Sequence, residues 1–198
     1  TRGTHESMAT GTGAQPLSQL RADWVTACMA FNEPRAEQAL STAFALYSPE
    51  DVCFDVLRAG LEEIGEHWYQ GDITVQQEHF ATAQAMRKLE SLIAAAPKAI
   101  RKERILIASP VGEMHEFALL ILAFLLKRRG FEVIYLGTNV PNDRLAETIR
   151  EIKPDLIVSS AQQMYTAASL RDLALFARGE VGVTSFGGGI FKIGRAHV

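Results

Sequence analysis

Apolar positions recur three and four residues apart through the first half of the chain, which is the spacing of one face of an α-helix. Short polar connections between the apolar stretches favour a four-helix bundle over residues 17–97. The predicted helices run over 17–31, from Pro34 to Tyr47, from the capping sequence Ser48-Pro49-Glu50-Asp51 to Gln70, and from Thr74 to Ala96.

From residue 102 onward, short apolar runs alternate with helical stretches. Such alternation indicates a parallel sheet with right-handed crossovers, as in Rossmann-like and flavodoxin-like domains. The predicted fold class is therefore α/β with an all-α N-terminal module, and the parallel-sheet domain covers residues 102–192. The predicted strands are Arg104–Ala108, Val133–Leu136, Leu156–Ser159 and Val181–Phe186, with helices over 117–129, 141–152 and 167–178.

Both ends of the chain differ from the body. Residues 1–16 are polar and rich in glycine, serine and threonine, which is typical of a linker. Residues 193–198 follow a glycine-rich stretch and match no element, and one codon choice for them reproduces a common sequencing-adapter sequence. We therefore expect a non-native tail, and a sheet domain that is incomplete at its C-terminus.

Composition excludes several classes of protein. The 198 residues are 47% hydrophobic and 22% charged, which supports a packed core, and the net charge is −3 with no continuous basic stripe. We therefore do not expect this chain to bind DNA by itself, and the basic stretch Arg101–Arg104 is most simply a solvated linker. The longest apolar run, 117–126, is too short to span a membrane, and the sequence leads us to expect no signal peptide. Cys28 and Cys53 lack metal or redox spacing, which favours a reducing, cytoplasmic compartment.

Candidate chemistry falls after the predicted strands. His115, Ser159 and the glycines from Gly187 all follow strand positions, and parallel sheets bind ligands at the carboxyl ends of their strands. A neutral imidazole at His115 is a potential metal ligand, and Glu113 could orient it. A solvent-facing loop histidine is the alternative. Because no second histidine or cysteine lies nearby, a metal at His115 would need a cofactor with its own equatorial donors, a haem or a corrinoid.

The run Gly112-Glu113-Met114-His115-Glu116, between a strand and a helix, resembles the cobalamin (B12)-binding fold. The family pattern is Asp-x-His-x-x-Gly, so Glu113 stands for the aspartate and Ala118 for the glycine. The resemblance implies that His115 replaces the cofactor's dimethylbenzimidazole as the lower ligand of cobalt. The displaced nucleotide tail would then enter a slot in the α/β domain.

Two further positions match the same family. Ser159 corresponds to the serine after the third strand, although Ala161 replaces the usual leucine two positions later. Gly187 and Gly188 correspond to the glycine pair that lets the backbone approach the nucleotide. The resemblance implies that these three residues bind the cofactor.

A second motif lies in the helical half, where Trp68 is followed by Glu78-His79. By themselves these residues suit a core tryptophan and a solvated first helical turn. A tryptophan followed, after nine intervening residues, by Glu-His resembles the cap signature of adenosylcobalamin-dependent photoreceptor regulators of the MerR type. The resemblance implies that Trp68 packs on the adenosyl group above cobalt and that Glu78 and His79 contact it.

One position departs from those photoreceptors. A histidine directly follows their tryptophan and becomes the upper cobalt ligand after illumination, whereas Tyr69 stands there in this chain. Photolysis of the cobalt–carbon bond is a property of the cofactor and is still expected. Tyr69, His67 or water would replace the second imidazole.

The expected function is that of a regulatory ligand-binding domain and not of an enzyme. The resemblance implies a homo-oligomer, a dimer or tetramer, that represses in the dark with adenosylcobalamin bound and dissociates in light. DNA would be bound only through a domain preceding this chain, and no membrane is involved. The alternative is the corrinoid protein of a B12-dependent methyltransferase system, which must expose its upper face. A phosphoacceptor receiver domain lacks support, because Ala108-Ser109-Pro110 after the first strand does not offer the cluster of acids that such a domain needs.

Overall fold

A computed structural model of the protein describes residues 15–180 and 186–190. A boundary between Ala85 and Met86 separates two compact units. The elements are α1 (Leu17–Met29), α2 (Glu33–Leu46), α3 (Pro49–Asp51), a π-helical segment (Val52–Arg58), α4 (Ala59–Gln70), α5 (Val75–Ala94), β1 (Arg104–Ile107), α6 (Phe117–Arg128), β2 (Glu132–Tyr135), α7 (Leu145–Ile152), β3 (Leu156–Ala161), α8 (Met164–Glu180) and β4 (Phe186–Ile190).

The helical unit is built around α1, which packs against α2, the π-helical segment and α4. Trp24 on α1 is fully buried. A Cβ atom added to Gly60 of α4 would lie 2.7 Å from the Trp24 ring, closer than side chains approach. Gly60 therefore allows the tryptophan to contact the backbone of α4, and the predicted helical module is confirmed in its main features.

The π-helical segment Val52–Arg58 is a feature that the helical periodicity did not predict. Apolar pairs at adjacent positions, Val52 with Cys53 and Val56 with Leu57, are all buried on its inner face. Cys53 and Cys28 are both buried free thiols, and burial raises the pKa of Cys28 to about 12. Both therefore pack as small apolar side chains, as expected from the sequence.

Helix α5 begins with the predicted reciprocal cap. The Thr74 N–H donates to Gln77 Oε1 at 2.8 Å, and the Gln77 N–H donates to Thr74 Oγ1 at 3.4 Å. Gln77 Nε2 also donates to the Met29 carbonyl at 2.6 Å, and the rings of Phe31 and Phe80 meet edge to face at 5.4 Å. These contacts hold the first turns of α5 against the end of α1.

The α/β unit contains a four-stranded parallel sheet in the order β2-β1-β3-β4. Alternate residues of β1 point to opposite faces, as the pleat requires. One face packs with α7 and α8 around Leu106, Leu145, Ile149, Ile157, Leu173 and Ala177. The other packs with α6 around Ile105, Ile107, Leu119, Ala123 and Val133. The α/β class with a parallel sheet is confirmed.

Three predicted element positions were wrong. Helix α7 begins at Leu145 and not at Pro141, because Arg144 has a left-handed φ of 55° that helical backbone does not allow. Helix α8 begins at Met164, before the predicted start at residue 167. Strand β4 includes the glycines that were expected to follow it.

Some predictions lie outside the described residues: most of the 1–16 linker, residues 181–185 of the fourth strand, and the 193–198 tail. Within the described part of the chain, no helix combines the length and apolarity needed to cross a membrane.

Candidate functional site

The loops after β1 and β2 are joined by hydrogen bonds at the carboxyl edge of the sheet. The Gly112 N–H donates to Asn139 Oδ1 at 2.8 Å, and the Asn139 N–H donates to the Glu113 carbonyl at 2.9 Å. Asn139 has a φ of 53°, a conformation that asparagine adopts more readily than most residues. The side chain and backbone of Asn139 thus hold the loop that contains Glu113.

Glu113 is the buried acid of this edge, with its side chain only 1% exposed. One carboxylate oxygen accepts from the Gln162 N–H at 2.7 Å and from the Thr166 hydroxyl at 2.6 Å. The other accepts from the backbone N–H of His115 at 2.9 Å. Burial alone raises the pKa of Glu113, but hydrogen bonds from Thr166, Gln162 and His115 outweigh it and lower the pKa to about 2. Glu113 is therefore a buried carboxylate that stays ionised.

The imidazole of His115 is held by that carboxylate. Its Nδ1 lies 2.5 Å from Glu113 Oε1, while the side chain is 42% exposed. Because an ionised carboxylate only accepts hydrogen bonds, Nδ1 carries the proton, and in the neutral ring Nε2 carries the lone pair. His115 thus presents a potential metal-binding nitrogen with a fixed tautomer.

Exposed apolar side chains surround this edge of the sheet. The Tyr165 hydroxyl lies 3.5 Å from the Gly112 carbonyl, so the start of α8 adjoins the loop after β1. Clustered exposed apolar side chains of this kind are typical of a ligand or partner surface. The set comprises Val111, Met114, Leu136, Met164 and Tyr165 from the loops and ends that follow three neighbouring strands.

Two buried serine hydroxyls lie near the same edge. Ser159 is 1% exposed and Ser109 is fully buried, and neither Oγ has a hydrogen-bond partner within the described ranges. Gly188 is aligned with Ser159 and Gly187 with Val158, so the adjacent strand adds no side chain beside Ser159. An unpaired buried hydroxyl is costly, and a bound polar group would relieve that cost.

The candidate residues of the helical unit lie at the end of α4 and at the start of α5. Trp68 lies half-buried near the end of α4, and Tyr69 beside it is exposed. His79 Nδ1 contacts Glu78 Oε2 at 2.6 Å, with the two side chains 75% and 28% exposed. His67 contacts Asp72 at 3.2 Å. The helical unit therefore pairs Glu78 with His79.

The structure brings Glu113 and His115 into direct contact and aligns Ser159 with Gly188. Sequence reasoning missed Thr166 in the first turn of α8 and Asn139 in the loop after β2, both of which hold Glu113. The only local signal was an asparagine and a threonine beside predicted strand or helix ends. Among the described residues, no cluster of three or more His, Cys, Asp or Glu could hold a metal ion.

Comparison with known families identifies the two regions of the chain. Two models described as B12 binding domain match the chain, one over residues 20–93 and the other over residues 103–197. The two matched regions together cover well over half of the chain. The second includes Glu113, His115 and Ser159, and the first includes Trp68, Glu78 and His79.

Individual relatives fall into two groups. The HTH-type transcriptional repressor CarH of Myxococcus xanthus is 31% identical over 77% of this chain and 50% of its own length. The trimethylamine corrinoid protein of Methanosarcina barkeri is 28% identical over 66% of this chain and 63% of its own length. This chain therefore spans between half and two-thirds of each.

A solved structure shares the fold. The monomethylamine corrinoid protein of Methanosarcina barkeri aligns with a TM-score of 0.72 over 91% of this chain and 88% of its own, at 18% identity. The paired family matches and the similarity to CarH identify the class of protein. The chain belongs to the B12 binding domain family and is a cobalamin-binding module similar to that of CarH.

Proposed function

We propose that the chain is the sensory domain of a transcriptional regulator that binds adenosylcobalamin and responds to light. The observation that carries the proposal is the buried Glu113 carboxylate that fixes the His115 tautomer. It leaves Nε2 as the lone-pair nitrogen of a partly exposed ring. Such an arrangement suits a single axial ligand of cobalt.

The residues present fit a corrinoid. The exposed apolar side chains at the carboxyl edge would contact a flat macrocycle, and His115 would supply its lower cobalt ligand. Ser159, whose buried hydroxyl lacks a partner in the described residues, would hydrogen-bond the nucleotide tail. Gly187 and Gly188 would let the backbone approach it. Bound adenosylcobalamin would supply a light-sensitive cobalt–carbon bond.

Glu113 would act on cobalt through His115. Accepting the Nδ1 proton orients the ring and raises the basicity of Nε2. Thr166 and the Gln162 N–H hold the carboxylate itself, so the orientation of the imidazole would depend on the start of α8 as well. Ala118 in place of the family glycine would narrow the slot beside α6.

The helical unit would supply the adenosyl preference. Trp68, Glu78 and His79 would cover the upper ligand, as the resemblance implies. Glu78 and His79 keep partly exposed side chains, so they remain available to a ligand. Because Tyr69 replaces the histidine of known photoreceptors, the illuminated state would have water, Tyr69 or His67 in the upper position.

The regulatory role is supported by the similarity to CarH over three-quarters of this chain. DNA binding would come from a domain outside it. The module would assemble into a dimer or tetramer with adenosylcobalamin bound. Light would shift the equilibrium toward smaller species, because a ligand changes assembly only by binding one state better than another.

A second candidate is a corrinoid protein for methyl transfer. The 28% identity to a trimethylamine corrinoid protein favours it, and so does the fold shared with a monomethylamine corrinoid protein. The preferred upper ligand of the cofactor distinguishes the two candidate functions. A regulator should prefer the adenosyl form, whereas a methyl carrier should bind methylcobalamin at least as well.

The experiment mixes the protein with adenosylcobalamin in the dark and records the visible spectrum and the size-exclusion profile before and after green light. We expect bound cofactor and a larger species that shrinks on illumination. Stable binding without a change in size would contradict the photoreceptor role and favour the methyl carrier. Absence of bound cobalamin would contradict both.

A further inference from the structure

Glu116 directly follows His115 and makes a hydrogen bond away from its own helix. It is the N-cap residue of α6, a position from which a side-chain oxygen commonly accepts from a backbone N–H of the first turn. The Glu116 side chain makes no such bond. Its Oε1 instead accepts from the Tyr135 hydroxyl at 2.8 Å. The carboxylate is therefore held by β2 and does not cap the helix that it begins.

Tyr135 is a fixed donor at the carboxyl end of β2. Its ring packs against the apolar cluster between the sheet and α6. Burial raises the pKa of Tyr135, and the hydrogen bond to Glu116 and the charges of Glu116 and Glu90 raise it further. The phenol therefore keeps its proton, and its hydroxyl remains the donor that holds one oxygen of Glu116.

The bond between Tyr135 and Glu116 anchors the loop after β1 from the side of β2. In the sheet, β1 lies between β2 and β3, and the ends of β1 and β2 are aligned. The groups that donate to the carboxylate of Glu113 follow β3 instead. His115 thus belongs to a loop that is fixed from both neighbouring strands, with Glu116 on the side of β2.

Glu116 keeps acceptor capacity beside the predicted cobalt ligand. A carboxylate offers about four lone-pair sites, and Tyr135 occupies one of them. The residue is half-buried, so part of its surface still meets solvent. A second group that donates N–H bonds would find a fixed acceptor next to His115, whereas a second carboxylate would meet a like charge.

The periphery of a corrin ring carries such donors. Propionamide side chains extend from the lower face of the ring of cobalamin, the face on which His115 would bind cobalt. A primary amide has two N–H donors, and the acceptor sites of Glu116 match them. Hydrolysis of that amide to an acid removes the donors and adds a negative charge.

From this geometry we propose that Glu116, held by Tyr135, hydrogen-bonds a propionamide of the corrin ring and selects amidated corrinoids against those with a free acid at that position. The inference rests on the proposed binding of cobalt by His115. Glu116 would contact the cofactor, and Tyr135 would position Glu116. The loop that supplies the cobalt ligand would then also recognise the periphery of the ring.

The test compares cobalamin with its separated mono-acid isomers, in each of which one propionamide is hydrolysed to a carboxylate. Absorbance titration of the whole chain at neutral pH measures the dissociation constants of the hydroxo forms. Glu116→Gln replaces the carboxylate by an amide of nearly the same shape. The matched control, Glu151→Gln, removes one exposed charge near the end of α7 and changes the net charge equally.

We expect one isomer to bind the unaltered protein at least about tenfold more weakly than cobalamin, because its carboxylate meets that of Glu116. This difference in affinity should largely disappear in Glu116→Gln and persist in Glu151→Gln. Tyr135→Phe keeps the packed ring but frees the Glu116 carboxylate, so the difference should become smaller without disappearing.

Equal affinities of the unaltered protein for cobalamin and for all of the isomers would overturn the proposal and leave the cobalamin site intact. A difference that persists in Glu116→Gln, or that disappears equally in Glu151→Gln, would overturn it as well. An unchanged difference in Tyr135→Phe would overturn the positioning role of Tyr135. Failure to bind cobalamin itself would overturn the proposed function together with this inference.

Discussion

Each unit contains a glutamate in contact with a histidine, and the two pairs differ in burial. Glu113 and His115 are 2.5 Å apart, and Glu78 and His79 are 2.6 Å apart. The side chain of Glu113 is 1% exposed, whereas that of Glu78 is 28% exposed. Distance alone therefore does not distinguish the pairs.

The surroundings of the carboxylates do distinguish them. Glu113 accepts additional hydrogen bonds from Gln162 and Thr166, which compensate for its burial. Glu78 accepts one from Thr82, within its own helix. A histidine whose partner is also fixed from the junction of β3 and α8 suits a permanent metal ligand. A pair on one exposed helical turn suits contact with a ligand that is exchanged.

Removing the buried pair's imidazole should have the largest effect. We expect His115→Ala to lower cobalamin affinity by more than the roughly 10–100-fold that loss of a supporting partner costs, because the metal ligand itself is lost. Hydroxocobalamin titration followed by absorbance measures it. His79→Ala is the control, and an equal loss in both variants would remove the distinction between the pairs.

Acid should destabilise the protein through Glu113. Its pKa is lowered from the ordinary 4.5 to about 2, so its contribution is complete above pH 4.5 and is lost as pH falls toward 2. The shift corresponds to about 3 kcal/mol. Denaturant unfolding at several pH values should show this decrease.

Two variants test whether Glu113 is responsible for the loss of stability at low pH. Glu113→Gln should flatten the decrease across that pH range, because it removes the titrating group. Glu78→Gln is the matched control, since solvent screens its more exposed carboxylate. A decrease that persists unchanged in Glu113→Gln would assign the acid effect to other groups.

The threonines beside the two glutamates offer a matched comparison. Thr166 donates to Glu113 at 2.6 Å and Thr82 donates to Glu78 at 2.9 Å. We expect Thr166→Val to lower the free energy of unfolding by about 1–3 kcal/mol, because a buried charge loses a donor. Thr82→Val should lower the free energy of unfolding by less than Thr166→Val does. Chemical denaturation measures both, and a larger cost for Thr82→Val would reverse the comparison.

Breaking the exposed pair should have the smallest effect. Glu78→Gln should change the free energy of unfolding by less than about 1 kcal/mol, because partly exposed ion pairs contribute little. Glu78→Gln should instead reduce the preference of the protein for adenosylcobalamin over hydroxocobalamin. An unchanged preference, measured by competition between the two cofactors, would remove Glu78 from the adenosyl contacts.

Hydrophobic periodicity predicted most elements of both units, because the buried faces of helices and strands repeat locally. It misplaced α7, because Pro141 is a common helix start and the left-handed Arg144 leaves no local signature. It misplaced β4, because glycines favour turns and only pairing with β3 makes them a strand. The π-helical segment at Val52–Arg58 was missed for a similar reason, since its spacing also fits an α-helix.

The site was predictable where a motif is short and contiguous. Glu113 and His115 are two residues apart, so their contact followed from the sequence. Thr166 acts from the start of α8 and Asn139 from the loop after β2, and the sequence alone does not show that the parallel strands bring them to Glu113.

The central claim, that Nε2 of His115 binds cobalt, has a direct spectroscopic test. The protein is prepared with nitrogen-15 histidine, loaded with cobalamin in the cobalt(II) state, and examined by electron paramagnetic resonance. A histidine ligand predicts that the axial nitrogen splitting changes from a triplet to a doublet on labelling, and that His115→Ala abolishes the doublet. A triplet that persists in the labelled protein would contradict the account, because the cofactor would have kept its own base.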